Sequence, residues 1–230
     1  MVATTERWAW PSSFPPRLRE RDREGGKQPA PGHGPTPLPT LAKSLILATA
    51  IVLAVTGVIL FGQGLWIFAK AQLAQVLLER AFAQSLATGE IVKPWPWADT
   101  WPIARIELPR RHKSAIVLHG ASGQALAFGP GHVELTPDAG ENGTAVYSAH
   151  RDTHFAFLAD VRIGDEIRVT RRDGAKFRFR IDGTVVARWD ASGIDPFAPG
   201  QNLVLTTCWP LDAKIPGPLR YLVRASILRD

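Results

Sequence analysis

Apolar residues fall into two regimes along this chain. From Ser44 to Ala69 they form an almost unbroken run, SLILATAIVLAVTGVILFGQGLWIFA, with no charged residue between Lys43 and Lys70. As a helix those 26 positions exceed the roughly 20 residues that crossing hydrocarbon requires, and Trp66 lies near one end, where an indole suits the lipid–water boundary. A buried core helix seldom runs so far without charge, so the pattern predicts a transmembrane anchor over residues 44–69. Helical character continues to Thr88 and stops at Gly89, which predicts a helical stalk within residues 70–93 that acts as a spacer.

Beyond Lys93 the texture changes to short apolar runs separated by turn signals, and no long helical period returns. The predicted strands are Ile103–Leu108, Ala115–His119, Ala145–Ala149, Glu166–Arg172, Lys176–Ile181, Thr184–Trp189, Leu203–Thr207 and Arg220–Leu228. Asp173-Gly174 lies between alternating stretches, Ile167 and Val169 before it and Phe177, Phe179 and Ile181 after it, and predicts a hairpin whose two turn residues both accept positive φ. One short helix is predicted, His154–Asp160. So many short strands predict an all-β barrel or sandwich over residues 94–230.

Charge and composition narrow the picture. The formal net charge is +6. Residues 1–43 hold seven Lys/Arg against four Asp/Glu, so half of that charge precedes the apolar run. This segment is rich in Pro, Gly and charge and is expected to be a disordered cytoplasmic tail. Arg17, Arg19, Arg21 and Arg23 cluster there, and positive charge beside a first span holds that end in the cytoplasm. Residues beyond about 70 are thereby expected outside the inner membrane, on the periplasmic side. Ala69-Lys70-Ala71 resembles a signal-peptidase site, but the apolar run is far longer than a cleaved signal needs, which favours a retained single-pass anchor. The mildly basic remainder has no arginine-rich helix or aromatic-basic ladder, and nucleic acid is not expected as a partner.

A single cysteine, Cys208, excludes an internal disulfide. Taken alone, a lone thiol is most often a small buried hydrophobe. Its placement argues for more. Cys208 ends the run NLVLTTC before the breaker Trp209-Pro210, and His150 ends the run TAVYSAH, so both sit at strand termini, where a rigid scaffold meets solvent. A thiol attacks only as thiolate, and His150 can take its proton. Arg220, twelve residues after Cys208, can steady a developing oxyanion if the strands on either side of residues 209–219 are neighbours. His150, His154 and Cys208 are also compatible with a zinc site. A metalloprotease motif is excluded because no Glu follows His150.

Together the anchor, the β domain, SAHRD ending at Asp152, LTTCWP from Leu205 to Pro210 and the later Arg220 resemble the sortases, over about residues 95–230. The stretches KPWPWADTWPIARIELP (Lys93–Pro109) and SAHRDTHFAFL are similar, more narrowly, to the sortases of Gram-negative bacteria known as class GN. The resemblance implies a closed eight-stranded β-barrel and a cysteine transpeptidase. Cys208 would attack a backbone carbonyl in an LPxTG-like sorting signal at the C-terminus of an exported protein, and an amine acceptor would resolve the thioacyl enzyme. His150 would shuttle the proton and Arg220 would hold substrate or oxyanion, with Thr207, Ala149 and Trp209 expected to bind substrate and Thr207 to orient it or Arg220. No cofactor is implied. Some sortases bind calcium, but Asp190 and Asp195 offer too few hard oxygen ligands before Cys208, and no metal is expected. Two alternatives remain at this stage: an L,D-transpeptidase-like peptidoglycan enzyme, whose His-Gly beside the Cys is missing here, and a non-catalytic anchored β module that binds envelope components.

Overall fold

The computed structural model describes residues 39–229. The expected tail of residues 1–43 therefore lies almost wholly outside the described residues, and its last four positions are already helical. Helix α1 runs Thr40–Thr88 without interruption. Its most apolar window has mean hydropathy 2.6 and no buried residue, as expected of a surface meant for lipid. Ser44 and Thr49 donate their hydroxyls to the carbonyls of Thr40 and Leu45, so neither presents a bare polar group to an apolar surrounding. Gly89, at φ +75, ends the helix, its N–H donating to the Ser85 carbonyl at 2.8 Å.

The last third of α1 is more than the spacer expected from sequence. Ala74, Leu78, Ala81, Phe82 and Ser85 are buried, a stripe at helical spacing that needs a partner surface. Leu78 and Phe82 pack with Ile116, Leu118 and Ala125. Arg105 pairs with Glu79 and lays its guanidinium over the Phe82 ring, 5.2 Å from the centroid. Residues 70–88 are thus part of the packing of the β domain.

The remainder is a closed barrel: β1 Pro102–Leu108, β2 Lys113–Leu118, β3 Gly131–His132, β4 Gly143–Ser148, β5 Glu166–Arg171, β6 Lys176–Arg188, β7 Gln201–Trp209 and β8 Leu219–Ile227. Around the barrel the order is β1-β2-β3-β4-β7-β8-β6-β5. Two pairs are parallel, β2 with β3 and β4 with β7, and the rest antiparallel. Alternation sends Ile106, Tyr147, Ile167, Phe179, Leu205 and Val223 inward to one core, while Val146, Val204 and Leu222 make a smaller cluster on the other face of the sheet.

The eight strands are not quite the eight predicted. Lys176–Ile181 and Thr184–Trp189 are one strand, β6, because the register with β8 shifts between Ile181 and Gly183. Asp182-Gly183 marks an irregularity that bends the strand without ending it. The missing member is β3, two residues long, too short for any periodicity to reveal. The Asp173-Gly174 hairpin forms, but only Gly174 has positive φ, +85. Arg171 and Ala175 close the loop, so the turn has one left-handed position instead of two. The predicted His154–Asp160 helix is a 3-10 turn over Ala156–Asp160, and a short helix, α2 Gly123–Phe128, was not foreseen.

Candidate active site

The parallel pairing of β4 with β7 builds this region. Their register runs from Gly143 opposite Gln201 to Ser148 opposite Thr206. It extends one step further, the Ala149 N–H donating to the Thr206 carbonyl at 3.1 Å. Parallel strands finish at the same end, so His150 and Cys208, each the next residue out, emerge side by side at one rim. Strand β8 runs back antiparallel, and its register sets Arg220 directly opposite Cys208. Three segments distant in sequence are thereby joined at one edge of the barrel.

Parity decides which face they share. Leu203, Leu205, Ala145, Tyr147, Ala149, Val223 and Ala225 belong to the interior core. The alternate positions, Val146, Val204 and Leu222, form the cluster outside it. Cys208 and Arg220 are in phase with that outer set, and His150 follows the same alternation from Val146 and Ser148. Cys208 is partly exposed and His150 is exposed, so neither is a fully buried core residue.

Thr207 has a role other than the one expected. It is 1% exposed, and its hydroxyl donates to the Ala149 carbonyl at 2.7 Å. That bond stitches β7 to β4 immediately before Cys208 and His150; it is not directed at Arg220 or an outside ligand. Ala149 is buried too, and its contribution is this backbone acceptor. Trp209 is half-buried and stacks on Tyr221, ring centroids 5.5 Å apart.

The segment after β7 is held from both sides. Arg220 Nη1 donates to the carbonyls of Gly217 and Leu219, each at 2.9 Å. Arg151, the neighbour of His150, donates from Nη1 to the Pro210 carbonyl at 3.0 Å and from Nη2 to the Ile215 carbonyl at 3.1 Å. Sequence reasoning passed over Arg151, although it lies inside the SAHRD stretch; a side chain bonding backbone 59 and 64 residues away leaves no local signal. Burial, and secondarily the nearby His150, push the His154 imidazole below its ordinary pKa. No group of three His, Cys, Asp or Glu able to hold a metal occurs among the described residues, so nothing favours zinc at His150, His154 and Cys208.

Register and parity thus bring Cys208, His150 and Arg220 to one edge of the barrel on one face of the sheet. Residues 106–228 match the sortase domain family, and the chain belongs to that family, whose members are cysteine transpeptidases. It is 31% identical over 119 residues to Sortase D of Bacillus subtilis (strain 168), an alignment covering 51% of this chain and 60% of that protein. Among solved structures it resembles a Clostridium perfringens Sortase D5 transpeptidase, with TM-score 0.54 and 22% identity over 69% of this chain and 99% of the other. It also resembles a lid mutant of sortase A from Corynebacterium diphtheriae, with TM-score 0.52 and 23% identity over 68% and 94% of the two chains. At these identities the structural likeness speaks for the closed barrel.

Proposed function

We propose that this chain is a membrane-anchored cysteine transpeptidase in which Cys208 is the nucleophile, His150 its proton partner and Arg220 the stabiliser of the oxyanion. The observation that carries the reading is the register: Cys208 opposite Arg220 on β7–β8, with His150 two residues beyond a β4–β7 ladder that ends at Ser148–Thr206. The Cys208 thiolate adds to a backbone carbonyl of the substrate, and the carbonyl π electrons move to oxygen. Arg220, fixed through Nη1 to the Gly217 and Leu219 carbonyls, keeps Nε and Nη2 for that oxygen. The tetrahedral species collapses with cleavage of the C–N bond, and protonated His150 gives its proton to the departing amine. A thioacyl enzyme remains. An incoming amine, deprotonated by His150, attacks it, and the thiolate leaves as the new amide forms.

The substrate in this reading is an exported protein with an LPxTG-like C-terminal sorting signal. The class GN assignment rests on Lys93–Pro109 and SAHRDTHFAFL. A tail over 1–43, an anchor over 44–69, a stalk over 70–93 and a catalytic barrel over 94–230 complete the organisation, with the barrel on the periplasmic side of the inner membrane. An apolar helix with mean hydropathy 2.6 and basic residues before it supports this orientation.

The test is cleavage of an LPxTG-like peptide by the full chain in detergent, comparing wild type with Cys208→Ala, His150→Ala and Arg220→Ala. All three variants are expected to lose turnover, and a thiol reagent to inactivate the wild type. Cleavage surviving in Cys208→Ala refutes the assignment.

A further inference from the structure

The segment between α1 and β1 carries an apolar surface for which the proposed chemistry has no use. Leu73 and Leu77 of α1, with Trp95, Trp97 and Phe128, wall an open cleft of about 460 Å³ with Lys70 at its edge. Trp95 is the fixed member. Its ring meets Phe128 edge-on at 4.9 Å, and the backbone of Phe128 is tied to α1 by Gln75 Nε2, which donates to its carbonyl at 2.8 Å. Trp97, two residues on, is 79% exposed, and Leu73 is 58% exposed. An indole and a leucine held open beside an apolar cleft form a patch that calls for a cover.

Continuity with the apolar run says what the cover is. Leu73 is seven residues beyond Trp66 on the same helix, about 10 Å at 1.5 Å per residue. The polar headgroup layer is about 5–8 Å deep on each side of the hydrocarbon, so the cleft begins near its outer edge, and ordinary helix tilt brings it closer. The chemistry fits that layer. Trp66 is 62% exposed and carries the Lys70 ammonium over its ring, 4.9 Å from the centroid. That gives an amphipathic ring and a cation suited to phosphate at the level where lipid ends. Lys93 adds a second cation two residues before Trp95, while the carboxylates of the same segment, Glu90 and Asp99, lie further from the Trp95-Pro96 step.

We propose that Trp97 and Leu73 seat the barrel on the headgroup surface of the membrane that α1 enters, so that α1 and the Trp95–Trp97 turn form a two-point mount. This rests on the membrane-anchored reading above. The mount bears on the active site because a second apolar cleft, shared by Ile67, Lys70, Ala71 and Phe128 on one side and Thr153 and His154 on the other, adjoins it. His154 lies four residues after His150. Seating the barrel at Trp97 therefore brings the Thr153–His154 segment, which follows His150, close to the bilayer surface.

The experiment uses the full chain in nanodiscs of phosphatidylethanolamine and phosphatidylglycerol, in a Cys208→Ser background that removes the one native thiol. A nitroxide is attached in turn at Trp66→Cys, Trp97→Cys and Trp189→Cys, and collisions with oxygen and with a water-soluble nickel chelate are measured. All three positions are exposed, so the labels disturb no core. Position 66 is expected to favour oxygen and 189 the chelate, with chelate access at 97 several-fold lower than at 189. Equal chelate access at 97 and 189, with 66 in lipid, overturns the mount and leaves the anchor standing. Free chelate access at 66 refutes the anchor, and the mount falls with it.

Discussion

Replacing Thr207 by Val asks whether the stitch between β4 and β7 positions Cys208, the proposed nucleophile. Val has nearly the shape of Thr, so the change removes the hydroxyl with little change of volume at a site 1% exposed. The Ala149 carbonyl loses the donor that reaches it at 2.7 Å. An acceptor left without a partner in a buried place costs about 1–3 kcal/mol. For a domain of this size, a loss of about 2 kcal/mol lowers the melting temperature by roughly 6–10 °C. Thr207→Ser keeps the donor and gives up one methyl, so it should retain most of the stability. Because the bond lies one residue before both His150 and Cys208, loosening it should lower kcat more than it raises KM. Thermal unfolding and peptide cleavage on wild type, Val and Ser variants decide the matter. If the Val variant melts with the wild type, or the Ser variant is as impaired as Val, the hydroxyl is not what holds the rim.

The remaining predictions concern groups around the site and on the far side of the barrel. Arg151→Ala should speed amide exchange across residues 211–217 and lower cleavage while the barrel stays folded, because Pro210 and Ile215 lose the guanidinium that spans them; unchanged exchange there would count against the clamp. An NMR titration should find the His154 midpoint below that of a free imidazole, and His150→Ala should raise it only partway, since burial is the larger cause. Because His154 binds its proton less readily folded than unfolded, its contribution to stability is present above the unfolded value near 6.5 and falls away as pH drops below it. Glu166, bonded by Arg178 and Arg168, is held down to about 2; its contribution is complete above the ordinary carboxylate range and is lost as pH falls from about 4.5 toward 2. Glu166→Gln should therefore melt below the wild type at pH 7 and converge with it near pH 2, and a constant gap across that window would contradict the pairing.

Much of the barrel could be read from alternation alone, because most of its strands have one face in the core and one outside. Where a strand bends through a bulge, as β6 does at Asp182-Gly183, the residues that permit the bend carry the same signature as a turn. Where a strand is Gly131-His132 only, pairing comes entirely from its neighbours, and local sequence holds no trace of it. The site followed the same division. His150, Cys208 and Arg220 could be nominated from sequence by residue type at strand ends, and the register joins those ends at one edge. The inward turn of Thr207 and the reach of Arg151 depend on a parallel pairing between strands 58 residues apart, which no local pattern encodes. The packing of Leu78 and Phe82 was hidden for a different reason: an apolar stripe that follows a membrane-length run looks like more of the same run.

The parallel β4–β7 seam also governs when chemistry becomes possible. Segments so far apart in the chain meet late, since loop closure must be completed before their contacts contribute. Arg220 arrives only with β8, the last strand made. On the proposed function, Cys208 in an unfinished chain thus has neither His150 nor Arg220 beside it, and gains both in the same event that shuts the barrel. Completion of folding is therefore the step that assembles the proposed site.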